Sequence, residues 1–213
     1  MDYRWKRLHS LRTGEVLPLF DAVFAVAFTL LAYSVPEELA MGFDGVNGLL
    51  LAIASSLFSG IAVLLYWWKM RRLLRIARSL HSEQLLLGFA SMLIIVAFPK
   101  LSQLALLYGG GQGNLLAWTP SQVVNVLFLG ALFLFDGLCL GFAFSLRRHQ
   151  PLQDHSRQLL ETAIKAQVLG FAFLLLLAAL ELMFTWFNNQ YLLLVPVVLL
   201  LEELLVVRRI SSR

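Results

Sequence analysis

Residues 17–36 read LPLFDAVFAVAFTLLAYSVP, from Leu17 to Pro36. The run is apolar for about the 20 residues that a helix needs to cross a hydrocarbon core of roughly 30 Å. Projected at about 100° per residue, Ala22, Val26, Thr29 and Tyr33 fall on one stripe, flanked by Ala25 and Leu30. Phe20, Phe24, Ala27 and Leu31 fall on the opposite side. One face is narrow and carries a hydroxyl at mid-depth; the other is bulky and aromatic. Two readings follow. The narrow face meets a neighbouring helix, as small residues in membranes do, or it lines a pore. Asp21 lies about one turn into this span, where a carboxylate is costly and needs a partner or water.

Five further runs have the same character, giving six spans over approximately 17–35, 49–68, 85–108, 123–146, 166–187 and 191–207, the first closed by Pro36. They are long and apolar on most faces and lack the alternation of a barrel strand, so the expected fold is an all-α integral membrane protein with six transmembrane helices per chain. The loops are too short for a separate soluble domain, so residues 1–213 form a single six-helix transmembrane domain. The start of the chain shows no cleavable signal peptide.

Composition agrees. Of 213 residues, 59% are hydrophobic and 14% charged, with a mean hydropathy of +0.77, too few polar groups to cover a soluble domain. The net charge of +4 flanks the apolar spans rather than forming a nucleic-acid patch. Arg4, Lys6, Arg7 and Arg12 precede the first span. Lys69, Arg71, Arg72, Arg75 and Arg78 follow the second, Arg147, Arg148, Arg157 and Lys165 lie between the fourth and fifth, and Arg208, Arg209 and Arg213 end the chain. The remaining connections lack Lys and Arg, and the first carries Glu37, Glu38 and Asp44; Lys100 alone lies outside the scheme. The positive-inside rule then puts both termini in the cytoplasm; the expected location is the cell's inner (plasma) membrane.

No catalytic or metal motif is present. Cys139 is a lone cysteine within an apolar run, His9, His81, His149 and His155 lie outside the runs, and Gly109-Gly110-Gly111 has neither the strand nor the Lys-Ser/Thr of a phosphate loop. No cofactor and no enzyme activity are expected.

The run Asp21-Ala22-Val23-Phe24-Ala25-Val26-Ala27-Phe28-Thr29-Leu30-Leu31 resembles the F-S-D-G-V-F-A-I-A-x-T-L-L signature of the transmembrane protein 175 family, the bacterial and lysosomal potassium channels. Tyr66-Trp67-Trp68 with Arg71 and Arg72 stand where that family has a tryptophan and then a histidine, and Pro99 matches a third-helix proline. The resemblance covers the first three spans; the last three agree in hydropathy alone. It implies a pore lined by the first helix of each subunit, in a homotetramer that conducts potassium ions across the lipid bilayer. By position, Val26, Leu30 and Tyr33 correspond to the pore constriction and Thr29 to the selectivity threonine.

Several positions depart from the family pattern. Glu15 replaces an arginine, Leu19 a phenylalanine, Phe20 a serine, Arg71 a histidine and Gly88 an asparagine. Asp21 and Trp68 remain of a polar cluster that braces the first helix, and Glu15, Asp21, Trp68 and Arg71 form its expected counterpart here, with Glu15 pairing to Arg71 or Arg72. An apolar ring gates a pore by dewetting it; four valines would make a looser neck than four isoleucines. The T-V-G-Y-G filter and an arginine-repeat voltage sensor are both missing.

Asp136 and Glu181 lie within the fourth and fifth spans, as inter-helix hydrogen-bonding residues or as proton-relay carboxylates. Glu202 and Glu203 are expected at the interface near Arg208 and Arg209. The alternatives to a potassium channel are a proton-permeable pathway, a proton-coupled secondary transporter using Asp136 and Glu181, and a non-conducting scaffold; the inverted repeat common in transporters is not evident.

Overall fold

The structure is a computed structural model that describes residues 10–40, 45–77, 79–108, 119–149, 153–183, 195–201 and 203–204. Five long helices dominate: α1 (Thr13–Ala40), α2 (Gly45–Ile76), α3 (Ser82–Tyr108), α4 (Pro120–His149) and α5 (Asp154–Met183). A last helical stretch covers 195–201. Among the described residues, four helical segments are long and apolar enough to cross a membrane: Thr13–Ala32, Ser82–Ala105, Gln122–His149 and Asp154–Leu180. The chain is therefore a multi-pass helical membrane protein. The second span lies within α2, where some side chains are outside the described set, and the fifth and sixth spans fall partly on residues outside it.

Helix ends differ from the apolar runs in a consistent way. Each helix extends past its hydrophobic stretch because backbone hydrogen bonding continues into the polar interface, where side chains no longer report it. α1 runs through Pro36 to Ala40 rather than stopping at the proline. α3 runs on through Pro99, so that residue makes no break of the kind found in transporters.

A feature absent from the sequence reading joins the ends. Ser10–Arg12 (β1) pairs antiparallel with Ser79–His81 (β2), in the register Ser10↔His81, Leu11↔Leu80 and Arg12↔Ser79. Thr13 Oγ1 adds a 2.7 Å hydrogen bond to the carbonyl of Ala77. The start of α1 is thus fastened to the α2–α3 connection. This is the basic end of the molecule, where α1, α3 and α5 begin and α2 and α4 end.

α3 packs against α1, α2 and α4, while α5 packs on α4. Tyr66 of α2, Phe98 of α3 and Phe128 and Phe135 of α4 meet at the centre. The Tyr66–Phe135 ring centroids are 4.2 Å apart and the Phe98–Phe128 centroids 5.3 Å apart. One turn toward the basic end, Lys69 Nζ meets Asp136 Oδ1 at 2.7 Å, with both side chains at most 4% exposed. The carboxamide of Gln167 donates to the Asp136 carbonyl at 3.0 Å, so α2, α4 and α5 share one polar node. This corrects the placement of Lys69 in a cytoplasmic connection. Its neighbours in sequence are basic and interfacial, but α2 continues beyond it and turns it inward.

Phe20 and Gly88 share one space. A Cβ built on Gly88 of α3 would lie 2.6 Å from Cζ of Phe20 and 3.6 Å from Cε of Met70. Phe20 is buried, and its ring stacks on Phe89. The aromatic ring on α1 fills the space that a side chain at 88 would take, so a larger residue at 20 accompanies the smallest residue at 88.

We therefore expect Gly88→Asn to destabilise the protein by about 1–3 kcal/mol, as overpacking does. Phe20→Ser should recover most of that loss in the double variant, with thermal unfolding in detergent as the measurement. Additive losses would show that the two positions do not share this space. Lys69→Met should cost about 3–5 kcal/mol by stranding the Asp136 carboxylate. Adding Asp136→Leu should restore much of the melting temperature, and a double variant no better than Lys69→Met would contradict the coupling.

Candidate pore-lining helix and its polar brace

α1 contacts the rest of its subunit along one stripe. Phe20, Phe24, Ala27 and Leu31 are each 5% exposed or less. These are the residues that the 3.6-residue period places opposite the narrow face. Within the membrane-spanning windows, 28% of the α1 residues are buried, against 39% for α3, α4 and α5. α1 is the least enclosed of the four.

Its free face carries the residues expected to line a pore. Ala22, Ala25, Thr29 and Leu30 are exposed, and Val26 is 52% exposed, so it is not buried against its own subunit. The Thr29 hydroxyl donates to the carbonyl of Ala25 at 3.0 Å. That back-bond spends the proton and leaves the oxygen lone pairs free to accept. Tyr33 belongs to α1, but its side chain lies outside the described residues, as do those of Glu37 and Glu38 and the whole of Asp44.

Rotation of α1 is fixed by a polar brace near its basic end. Trp67 Nε1–H donates to Asp21 Oδ1 at 2.8 Å. Arg71 Nη2 stands 3.6 Å from Asp21 Oδ2, and the Arg71 guanidinium lies 4.8 Å from the Trp67 ring centroid. Both carboxylate oxygens are engaged from α2, and the arginine is held by charge and by the indole face. Asp21 projects to the side of the helix, between the buried stripe and the free one. Pinning it there keeps Val26 and Thr29 turned away from the bundle.

The structure assembles this cluster from partly different residues than the sequence suggested. Asp21 and Arg71 come together. Trp68 does not join them; it is 53% exposed, and Trp67 takes the contact. Glu15 is exposed and makes no ion pair among the described residues. On the helical wheel Glu15 falls with Val26 and Thr29, on the face away from α2, which is why it reaches neither arginine. In the first turn of α1 it instead favours the helix dipole. Arg72, the other expected partner, makes a bidentate pair with Glu203 through Nη1 at 2.5 Å and Nη2 at 3.0 Å. Glu203 is therefore a buried tie to α2. Arg208, Arg209 and the side chains of Glu202 and Glu181 lie outside the described residues.

Asp136 is neutralised by Lys69. Cys139 is buried in α4. Among the described residues no group of three His, Cys, Asp or Glu could hold a metal ion.

Comparison with known proteins adds one finding. Residues 16–99 match the family model described as endosomal/lysosomal potassium channel TMEM175. The match spans α1, α2 and most of α3, the unit that holds the free stripe and its brace. No curated protein and no solved structure matches the chain.

Trp67→Phe keeps the ring under Arg71 but removes the indole donor. It should lower stability by about 1.5 kcal/mol, the low end for a hydrogen bond to a charged group because Asp21 is partly exposed. Trp68→Phe should leave the melting temperature unchanged. Equal losses from the two substitutions would mean that the indole of Trp67 is not the one that holds Asp21.

Proposed function

We propose, from the match of residues 16–99 to the family model described as endosomal/lysosomal potassium channel TMEM175, that this chain is the subunit of a potassium-permeable cation channel whose pore is lined by α1. The observation that carries this reading is the free face of α1. The helix is braced on one side and exposed on the other, and the exposed side holds Val26, Thr29 and Leu30. The family is a channel family and not an enzyme class.

Copies of α1 arranged around an axis, four in a homotetramer, would place Val26 at the narrowest apolar neck, with Leu30 and Tyr33 beyond it. Water leaves such a neck readily, and an ion cannot cross without part of its hydration shell. The Thr29 oxygen, one turn along, then replaces lost water. Because its proton is already committed to Ala25, the hydroxyl presents lone pairs to a cation. Glu15 lies on the same face at the basic mouth, where a carboxylate raises the local concentration of cations. The family pattern has an arginine there, so this position carries the opposite charge. The same geometry disfavours Asp136 as a proton carrier, because its charge is matched by Lys69 inside the bundle and away from α1.

Potassium flux into proteoliposomes, with sodium and proton gradients as controls, tests the function. Val26→Asn should raise the flux several-fold by keeping the neck wet. Thr29→Ala should weaken the preference for potassium over sodium without abolishing flux. Unchanged currents in both variants would move the pore off this face of α1. A reversal potential that follows pH rather than potassium would favour a proton-permeable pathway.

A further inference from the structure

A second site lies at the basic end, on the side of α2 that faces away from the aromatic centre. Trp67, Trp68, Arg71, Arg72 and Arg75 of α2 and Ser156 of α5 line a half-open cavity of about 360 Å³. Three guanidinium groups share this one wall. Asp21 and Glu203 offset two of them. Arg75 is exposed and has no ion pair among the described residues. The Nε atoms of Arg71 and Arg72 are buried and lack a hydrogen-bond partner there. The cavity wall therefore carries one uncompensated positive charge, that of Arg75, beside two guanidinium groups already offset.

We infer that this cavity binds the phosphate headgroup of an anionic lipid. Guanidinium forks match phosphate oxygens in geometry and charge. A basic pocket between transmembrane helices, at the end where positive charge collects, is where acidic headgroups are held. The rest of the lining selects a lipid over a soluble anion. Trp67, Trp68 and Leu159 give the same cavity an apolar side, and Trp68 is more than half exposed. Indoles favour the headgroup level of a bilayer, where one edge is wet and the other apolar. A ligand with a phosphate and a glyceryl ester stem meets both halves; inorganic phosphate meets one. The site adjoins the brace, since Arg71 belongs to both, so a bound headgroup would reinforce the wall that holds Asp21.

The test uses the full chain purified in detergent, incubated with phosphatidylglycerol or phosphatidylcholine, and read by native mass spectrometry and thermal unfolding. Neither readout requires conduction, so the result is independent of the channel assignment. The wild type should retain phosphatidylglycerol selectively and melt at a higher temperature in its presence. Arg75→Gln should reduce that retention about tenfold, the loss of one hydrogen bond from a charged group, and leave the lipid-free melting temperature unchanged. Arg75→Lys should keep most of the retention. Ser156→Asp, which sets a negative charge on the α5 side, is a second variant expected to act like Arg75→Gln. Equal retention of the two lipids, or retention unaffected by both Arg75→Gln and Ser156→Asp, overturns the proposal. So does inorganic phosphate that displaces the lipid at millimolar concentration and stabilises the protein equally, because the ligand would then be a soluble anion.

Discussion

Apolar side chains gain nothing by leaving lipid tails for a protein interior, so a helical membrane bundle cannot rely on the hydrophobic effect to choose its partners. Polar links must do so. Here the deepest is the Lys69–Asp136 ion pair, with Gln167 bound to the backbone at the same level. Either charge alone in that place would be prohibitively exposed to a low dielectric. Each therefore demands the other, and α2 cannot slide or rotate against α4 without breaking the match. The aromatic packing of Tyr66, Phe98 and Phe135 follows from that alignment.

With α2 fixed, α1 is placed by secondary links that all come from its neighbours: Trp67 and Arg71 to Asp21, Phe20 into the space above Gly88, and Thr13 to Ala77. They act along one side of the helix and over its first half. The other side is left without partners in other helices among the described residues. A helix with that division of labour suits the proposed conduit, because the residues assigned to its lining are free of packing duties. Val26 or Thr29 can vary without disturbing the core, and Phe20 or Phe24 cannot.

What could be read in the sequence depended on range. The helical character, the buried stripe Phe20–Phe24–Ala27–Leu31 and the need of Asp21 for a partner follow from local periodicity and from the cost of charge in lipid. The partners themselves were hidden. Lys69 stands beside interfacial arginines and looks like one of them, and its counter-charge is 67 residues away. Arg72 and Glu203 are 131 residues apart. Trp67 and Trp68 differ by one position, and that rotation of about 100° decides which indole reaches α1. The β1–β2 pair is three residues on each side, too short to leave a period. The resemblance suggests an arginine partner for Glu15, but its angle on the helix points it away from α2.

The short β1–β2 ladder carries a mechanical consequence. A transmembrane segment rooted at its first residue to the hairpin beside it can swing like a lever but cannot travel as a piston. Displacement of α1 then grows with distance from Thr13, smallest at the anchored base and largest at the far rim. Were α1 to line a conduit as proposed, dilation would proceed from the far rim inward, and lengthening the β1–α1 junction is the change that would loosen the hinge.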